Sequence, residues 1–301
     1  MPPSAVEWRT IMSYRYSFMR FPEGKLKAVT FSYDDGVRQD ERLIEVFDKY
    51  GMKATFNINS GILGSEENRG RWTPEELSEK IIVRGHEVAT HGAMHRAPGR
   101  QRTIDVIRDT LDCRLELEKM TGQIIRGMAY PDSGITGFAV GAADYEKIRE
   151  CLSDLGIAYA RTLLGDNCYF EVPRDFYAWM PSAHHDNPKI FEYIDRFNSL
   201  NEKSYGLAGN MPRLFYIWGH SYEFDRNNNW DRIESICEKL GGKSDVWYAT
   251  NIEICDYVKA YESLIYSADG QKVYNPTLKK IWLTADNRIY SVEPGQTIEI
   301  G

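Results

Sequence analysis

From Ala28 the chain reads Ala-Val-Thr-Phe-Ser-Tyr, a β-branched and aromatic run with the composition of a buried strand, and it ends abruptly in Asp34-Asp35-Gly36. The apolar pattern then alternates between strand-like and helix-like stretches. Leu43, Ile44, Val46 and Phe47 recur at helical spacing and predict a helix over 39–50, stopped by Gly51. A second strand is predicted over 54–59. Thr73-Pro-Glu-Glu76 carries the signature of a capping box with proline at the first helical position, opening a helix to about residue 84. Strands follow at 86–90, 123–130, 157–163, 176–180, 214–218 and 246–249, with helices at 103–120, 143–155, 230–240 and 252–266.

Seven or eight strands separated by helices predict a parallel α/β architecture. No Gly-x-Gly-x-x-Gly follows the first strand, and nearly every strand ends in a polar or ionisable residue, so a (β/α) barrel is the expected form rather than an open dinucleotide-binding sheet. Residues 1–27 read as an entry segment packing on the barrel through Tyr14, Tyr16, Phe18 and Phe21. From about residue 268 the character changes: Asp269-Gly, Asn275-Pro, Asp286-Asn and Pro294-Gly separate short alternating runs. The expected organisation is a barrel unit over 1–267 and a small β appendage over 268–301.

Composition narrows the function classes. Asp and Glu number 44 against 37 Lys and Arg, a net charge of −7 with no basic cluster, which argues against nucleic acid as a partner. No apolar run approaches the length of a membrane span, and the N-terminus lacks a basic segment followed by an apolar one, so a soluble cytoplasmic protein is expected. Five scattered cysteines with no Cys-x-x-Cys pair read as reduced thiols. The sequence gives no indication of oligomeric state.

All six histidines fall in three places: His86, His91 and His95; His184 and His185; and His220. His86-Glu-Val-Ala-Thr-His91 is one residue too long for the zincin helix His-Glu-x-x-His. His91-Gly-Ala-Met-His95 is a better candidate, because histidines four apart on a helical turn can point two imidazoles at one ion, and a carboxylate would complete an open site. His184-His185-Asp186 follows a predicted strand end, either as a solvated loop or lining the same mouth.

The combination of Thr30-Phe-Ser-Tyr-Asp-Asp-Gly36, Gly85-His-Glu-Val-Ala-Thr-His-Gly-Ala-Met-His95 and Ile217-Trp-Gly-His220 resembles the polysaccharide deacetylases, carbohydrate esterase family 4 with the NodB homology domain, over roughly residues 25–260. The resemblance implies a distorted (β/α) barrel of seven or eight strands. It implies Asp34 as general base, Asp35, His91 and His95 as ligands of one divalent metal ion, and His220 as general acid. Zn²⁺ is the first candidate ion, with Co²⁺, Ni²⁺ and Mn²⁺ behind it. The implied activity is hydrolysis of the N-acetyl amide of an amino sugar, with release of acetate. Tyr130, Trp179, Trp218 and Tyr222 are the expected sugar-stacking walls. Two alternatives remain: hydrolysis of another linear or cyclic amide or ureide on the same barrel, and a catalytically inactive carbohydrate-binding protein.

The chain departs from the family pattern at several points. Ser32-Tyr33 stands as an insertion between Phe31 and Asp34, and Gly92 replaces a hydroxyl residue after His91. The third motif is reduced to Met128-Ala-Tyr-Pro-Asp132, without the arginine that orients the base; Arg126 either reaches in from a shifted position or lies on the surface. The fourth is at best Asp175-Phe-Tyr-Ala-Trp179, and Trp218 takes the place of a leucine in the fifth.

Overall fold

The structure, a computed structural model, describes residues 16–64, 70–163, 166–204 and 209–300. Its centre is β2 (Lys27–Asp34), which pairs in parallel with β8 (Arg213–Gly219) along almost its whole length. On the other edge β2 forks. Its first half pairs with β9 (Val246–Tyr248) and its second half with β3 (Ala54–Ile58). From β3 the sheet continues through β4 (Glu87–Thr90), β5 (Gly127–Ala129) and β6 (Tyr159–Arg161), all parallel. Beyond β8 lies β7 (Ala183–His184). The ring closes because Trp179 bridges to Arg161 of β6 just before the chain enters β7. This is the distorted (β/α) barrel expected from the sequence.

Helices α1 (Asp40–Tyr50), α2 (Pro74–Glu76, continuing as a π-helical stretch Leu77–Ile82), α3 (Thr103–Thr121), α4 (Tyr145–Asp154), α5 (Ile190–Ser199), α6 (Tyr222–Asn227), α7 (Trp230–Leu240) and α8 (Asn251–Glu262) connect the strands. The capping box read at Thr73 and Glu76 is formed, and a second one, Thr250 with Glu253, opens α8. Two expectations are corrected. Residues 176–180 are a 3₁₀ turn, Phe176–Ala178, leading to the single bridge at Trp179, because the Asp175 carboxylate caps the Tyr177 amide and turns the chain. α5 was not anticipated, although Ile190, Tyr193, Ile194 and Phe197 form its buried face at helical spacing.

The strand pattern follows from what each face meets. Val29, Phe31 and Tyr33 of β2, Phe56 and Ile58 of β3, and Phe215 and Ile217 of β8 point outward into the main hydrophobic core under the helices. Thr30, Ser32 and Asp34 alternate with them and point into the barrel, where they are fully buried. A buried polar column must satisfy its hydrogen bonds internally. Asn57 Nδ2 donates to Ser32 Oγ at 2.7 Å and to Asp34 Oδ1 at 2.8 Å. Lower down, Thr30 Oγ1 donates to Asn251 Oδ1 (2.8 Å), the Asn251 amide to Thr55 Oγ1 (3.0 Å), and Thr55 Oγ1 to Glu87 Oε2 (2.8 Å). The column therefore runs from Glu87 at the barrel floor to Asp34 at its mouth.

The C-terminal residues form two small antiparallel sheets. β12 (Ile281–Ala285) pairs with β13 (Arg288–Val292) and with β1 (Ser17–Arg20), so the entry segment is a strand of that sheet. β11 (Lys272–Tyr274) lies between β10 (Ile265–Tyr266) and β14 (Thr297–Glu299). Residue 266, expected at the end of the preceding helix, is thus in a strand. Phe21, Leu283 and Val292 share one core with Tyr257 and Val258 of α8. Tyr14 lies outside the described residues. No helix among them is long and apolar enough to cross a membrane, and all five cysteines are unpaired.

Burial pushes the Glu87 carboxyl up to about 7, against hydrogen bonds from the Ile252 amide, Tyr159 and Thr55, and it pushes Asp40 up to about 7 as well. In the unfolded chain both ionise near 4, so between pH 4.5 and 7 these two groups bind more protons in the folded state and their contribution to stability falls as pH rises. Urea denaturation of wild type and Glu87→Gln across that window should show a difference in stability that changes with pH by at most about 3 kcal/mol, wild type losing ground to the variant as pH rises.

Candidate active site

The upper ends of β2, β4, β6 and β8 bring the site together. Asp34, the last residue of β2, has no exposed surface. Its Oδ1 accepts from Asn57 and its Oδ2 from the Arg161 guanidinium, itself fully buried at the end of β6. Burial alone would raise the Asp34 carboxyl; Arg161, with His91 and His220, outweighs it and holds the group below the usual carboxylate value. Trp218 of β8 covers the guanidinium, its ring centroid 4.4 Å away.

Asp35 turns away from the barrel axis with φ +81°, a left-handed conformation that few non-glycine residues adopt. Its Oδ1 is buried, has no hydrogen-bond partner among the described residues, and lies 3.8 Å from His91 Nε2 and 3.5 Å from His95 Nε2. His91 Nδ1 is 2.9 Å from the Ala129 carbonyl, which can only accept, so Nδ1 carries the proton and Nε2 presents its lone pair to Asp35. Burial lowers the His91 imidazole and favours the neutral form, the one in which an imidazole can take up a metal. These three residues form one of the described clusters able to hold a metal ion, and the orphaned carboxylate oxygen is the feature an ion would satisfy.

His91 and His95 converge without the expected helical turn. Gly92 at φ +72° and His95 at φ +53° bend the loop instead. A Cβ on Gly92 would stand 2.4 Å from Asp109 Oδ2, so glycine is required there by both conformation and space. The loop is braced from outside that residue: the Gly92 amide donates to Thr90 Oγ1 at 3.1 Å, and Asn59 Nδ2 donates to the Gly92 carbonyl at 3.0 Å.

His220, just past β8, lies with Nε2 3.9 Å from Asp34 Oδ2. Its backbone amide donates to Glu223 Oε2 at 3.1 Å and its Nδ1 lies 3.4 Å from the same oxygen. Burial opposes protonation of this imidazole, but Glu223 with Asp34 and Asp35 raises it above the ordinary histidine value. The Tyr222 ring is half-buried beside it, 5.2 Å between centroids.

Other expectations need correction. Tyr130 and Trp179 are 0 % and 1 % exposed: the Tyr130 hydroxyl donates to the Tyr177 carbonyl, and Trp179 is enclosed by Tyr159, Phe176 and Tyr216, so neither ring is open to a sugar. Trp218 and Tyr222 lie beside His220, at 5.9 Å and 5.2 Å between ring centroids. Arg126 precedes β5 at the opposite end of the strand and pairs with Asp256 at 3.0 Å. Ser32-Tyr33 does not disturb the strand, since the β2 ladder to β3 and β8 runs through both residues without a bulge. Arg161, Asn57 and Glu223 were not read from the sequence. Their signals were an arginine ending the apolar run 157–161, the alternation Thr55, Asn57, Asn59, and a carboxylate three residues beyond His220 on a helix.

Removing one partner of a fully buried ion pair leaves an uncompensated charge. Arg161→Met should cost about 3–5 kcal/mol in denaturant unfolding, and adding Asp34→Asn to it should restore most of that loss. Additive losses would show that the pair is not coupled.

The polysaccharide deacetylase family model matches residues 12–150. Among solved structures, a presumed polysaccharide deacetylase from Mycobacterium smegmatis shares 15 % identity over 83 % of this chain and 96 % of its own, with a TM-score of 0.54, which supports the fold. A family 4 acetyl xylan esterase from Clostridium thermocellum in complex with a cobalt ion matches at 13 % identity, covering 75 % of this chain and 89 % of its own (TM-score 0.46). A family 4 pseudoenzyme from Bacillus anthracis matches at 16 %, covering 79 % and 68 % (TM-score 0.43). No curated protein matches the chain. Residues 12–150, the stretch that carries Asp34, Asp35, His91 and His95, are thus similar to the polysaccharide deacetylase family.

Proposed function

We propose that the protein is a metal-dependent hydrolase that removes acetyl from an N-acetylated amino sugar, releasing acetate and a free amine. One observation carries this reading: a buried, charge-paired Asp34 lies between an orphaned Asp35 oxygen facing two imidazoles and the His220 imidazole on the other side. Asp35, His91 and His95 would hold the divalent ion, Zn²⁺ by preference, which when bound supplies Lewis-acid polarisation of the acyl carbonyl and acidifies water.

The chain's own groups do the rest. Asp34 is kept ionised by Arg161 and oriented by Asn57, and each oxygen retains a lone pair with which to accept a proton from water. His220, backed by Glu223 and raised in basicity, is the group that delivers a proton to the departing nitrogen. An amine leaves an acyl carbon poorly without that proton, which suits the pair to amide cleavage. The Trp218 and Tyr222 rings flank the mouth where a sugar ring would lie. A complete base, acid and ligand set also weighs against a purely binding role.

Zinc-loaded protein should release acetate from N-acetylglucosamine or its oligomers, and a chelator should abolish this reversibly. Acetate from O-acetylated xylan alone would make the bond an ester, and no acetate from any N-acetylated sugar would overturn the proposed substrate. Asp34→Asn should retain zinc while turnover drops by roughly 10²–10⁴-fold, and His220→Gln should lower kcat on a comparable scale. Unchanged turnover in either variant would remove that residue from its role.

A further inference from the structure

Asp40 opens α1 and has no exposed surface, yet the chemistry proposed for the barrel mouth makes no use of it. Burial pushes its carboxyl up to about 7, so the group is kept inside at a cost in stability. Its two oxygens face two neutral donors. Ser221 Oγ donates to Oδ1 at 2.6 Å, and Trp72 Nε1 donates to Oδ2 at 3.3 Å.

The two donors come from segments that adjoin the two halves of the proposed reaction. Ser221, also without exposed surface, lies between His220 and Tyr222 and is the N-cap residue of α6. An N-cap serine ordinarily turns its hydroxyl to the first amides of its own helix. Here the hydroxyl makes no such bond and is donated to a carboxyl 181 residues away. Trp72, equally buried, donates its amide to the Gly36 carbonyl at 3.0 Å, and Arg71 beside it donates to the Asp35 carbonyl. Asp40 is thus the junction between the turn that follows Asp34-Asp35 and the turn that carries His220.

What this junction adds follows from what else holds His220. The ladder between β2 and β8 ends at the pair Tyr33 and Gly219, one residue before Asp34 and His220. Glu223 accepts from the His220 amide and faces its Nδ1, but it stands three residues on in the same segment, so it orients the ring there and moves with it. Phe224 packs on Tyr33 at 6.3 Å and on His185 at 4.3 Å between centroids. Such apolar contact is non-directional, resisting separation while tolerating sliding. A 2.6 Å hydroxyl-to-carboxyl hydrogen bond is directional and admits little drift. His220 Nε2 stands 3.9 Å from Asp34 Oδ2, a gap that has to be kept if base and acid are to serve one bound amide.

We propose that Asp40 is a positioning residue for the general acid: by holding the Ser221 hydroxyl it fixes the His220 imidazole at its working distance from Asp34. This role rests on the reading of His220 as the acid of an amide hydrolase, and it acts without Asp40 touching substrate or ion.

Ser221→Ala and Asp40→Leu each break the tie, the second with a side chain of similar shape. In zinc-loaded protein each should lower kcat for N-acetylglucosamine roughly 10²-fold with KM unchanged, since a displacement of about 1 Å costs on that scale. Hydrolysis of 4-nitrophenyl acetate should be unaffected, because its leaving group departs as a stable anion and needs no proton from His220. Equal losses on both substrates, or none on the amide, would overturn the role. Asp40→Asn can donate to Ser221 and accept from Trp72, so it should recover most of the turnover lost in Asp40→Leu; no recovery would assign the effect to charge and overturn positioning. Crystal structures decide independently of activity. The His220 ring should leave its place opposite Asp34 in Ser221→Ala and Asp40→Leu and keep it in Asp40→Asn, and an undisplaced ring in the first two overturns the proposal. If wild type releases no acetate from any N-acetylated sugar, the deacetylase reading falls while these ring positions still decide the part played by Asp40. Thermal melts identify a variant that has failed to fold.

Discussion

A carboxylate with no solvent contact cannot stay ionised without a compensating charge, and the whole mouth of this barrel is arranged around meeting that condition for Asp34. Arg161 meets it from the neighbouring side of the ring, Asn57 occupies the other oxygen, and Trp218 seals the guanidinium. Because the compensation comes from β6, the closure of the ring from β6 through Trp179 into β7 and β8 fixes the position of the charge as well as the shape of the barrel. An arginine at that strand end pairs with Asp34, where the resemblance leads one to expect it before Pro131.

The same constraint propagates downward. Threonine, serine and asparagine alternate with large apolar residues along β2 and β3 because one face of each strand lines a dry barrel whose polar groups satisfy one another, while the other carries the helices. At the top, positive φ at both Asp35 and His95 costs about 1–3 kcal/mol per residue, the kind of strain found where a site must be held in place. That strain aims the Asp35 and His95 side chains at a common point that a relaxed strand end or helix would miss.

Much of this was legible in the sequence. The alternation of strands and helices gave the barrel, and Asp34-Asp35, His91/His95 and His220 are brought within a few ångströms of one another, as their motifs suggested. What could not be read depends on which strands become neighbours. Arg161 lies 127 residues from Asp34, and nothing in a linear pattern says that its guanidinium meets that carboxylate. Burial was equally hidden: Tyr130 and Trp179 have the chemistry of a sugar platform but lie inside the packing, while His185, which looks like part of a solvated loop, is sealed between two aromatic rings. Ser32 and Tyr33 depart from the expected motif in the linear sequence, yet both sit in register in the β2 ladder.

The central claim is a division of labour between adjacent carboxylates, with Asp35 a ligand and Asp34 a free, arginine-paired base. Anomalous diffraction from a zinc-loaded crystal tests it directly. The account predicts a peak about 2.0–2.2 Å from Asp35, His91 Nε2 and His95 Nε2, with Asp34 still bound to Arg161 and outside the coordination shell. A peak ligated by Asp34, or none among these three residues, would contradict it.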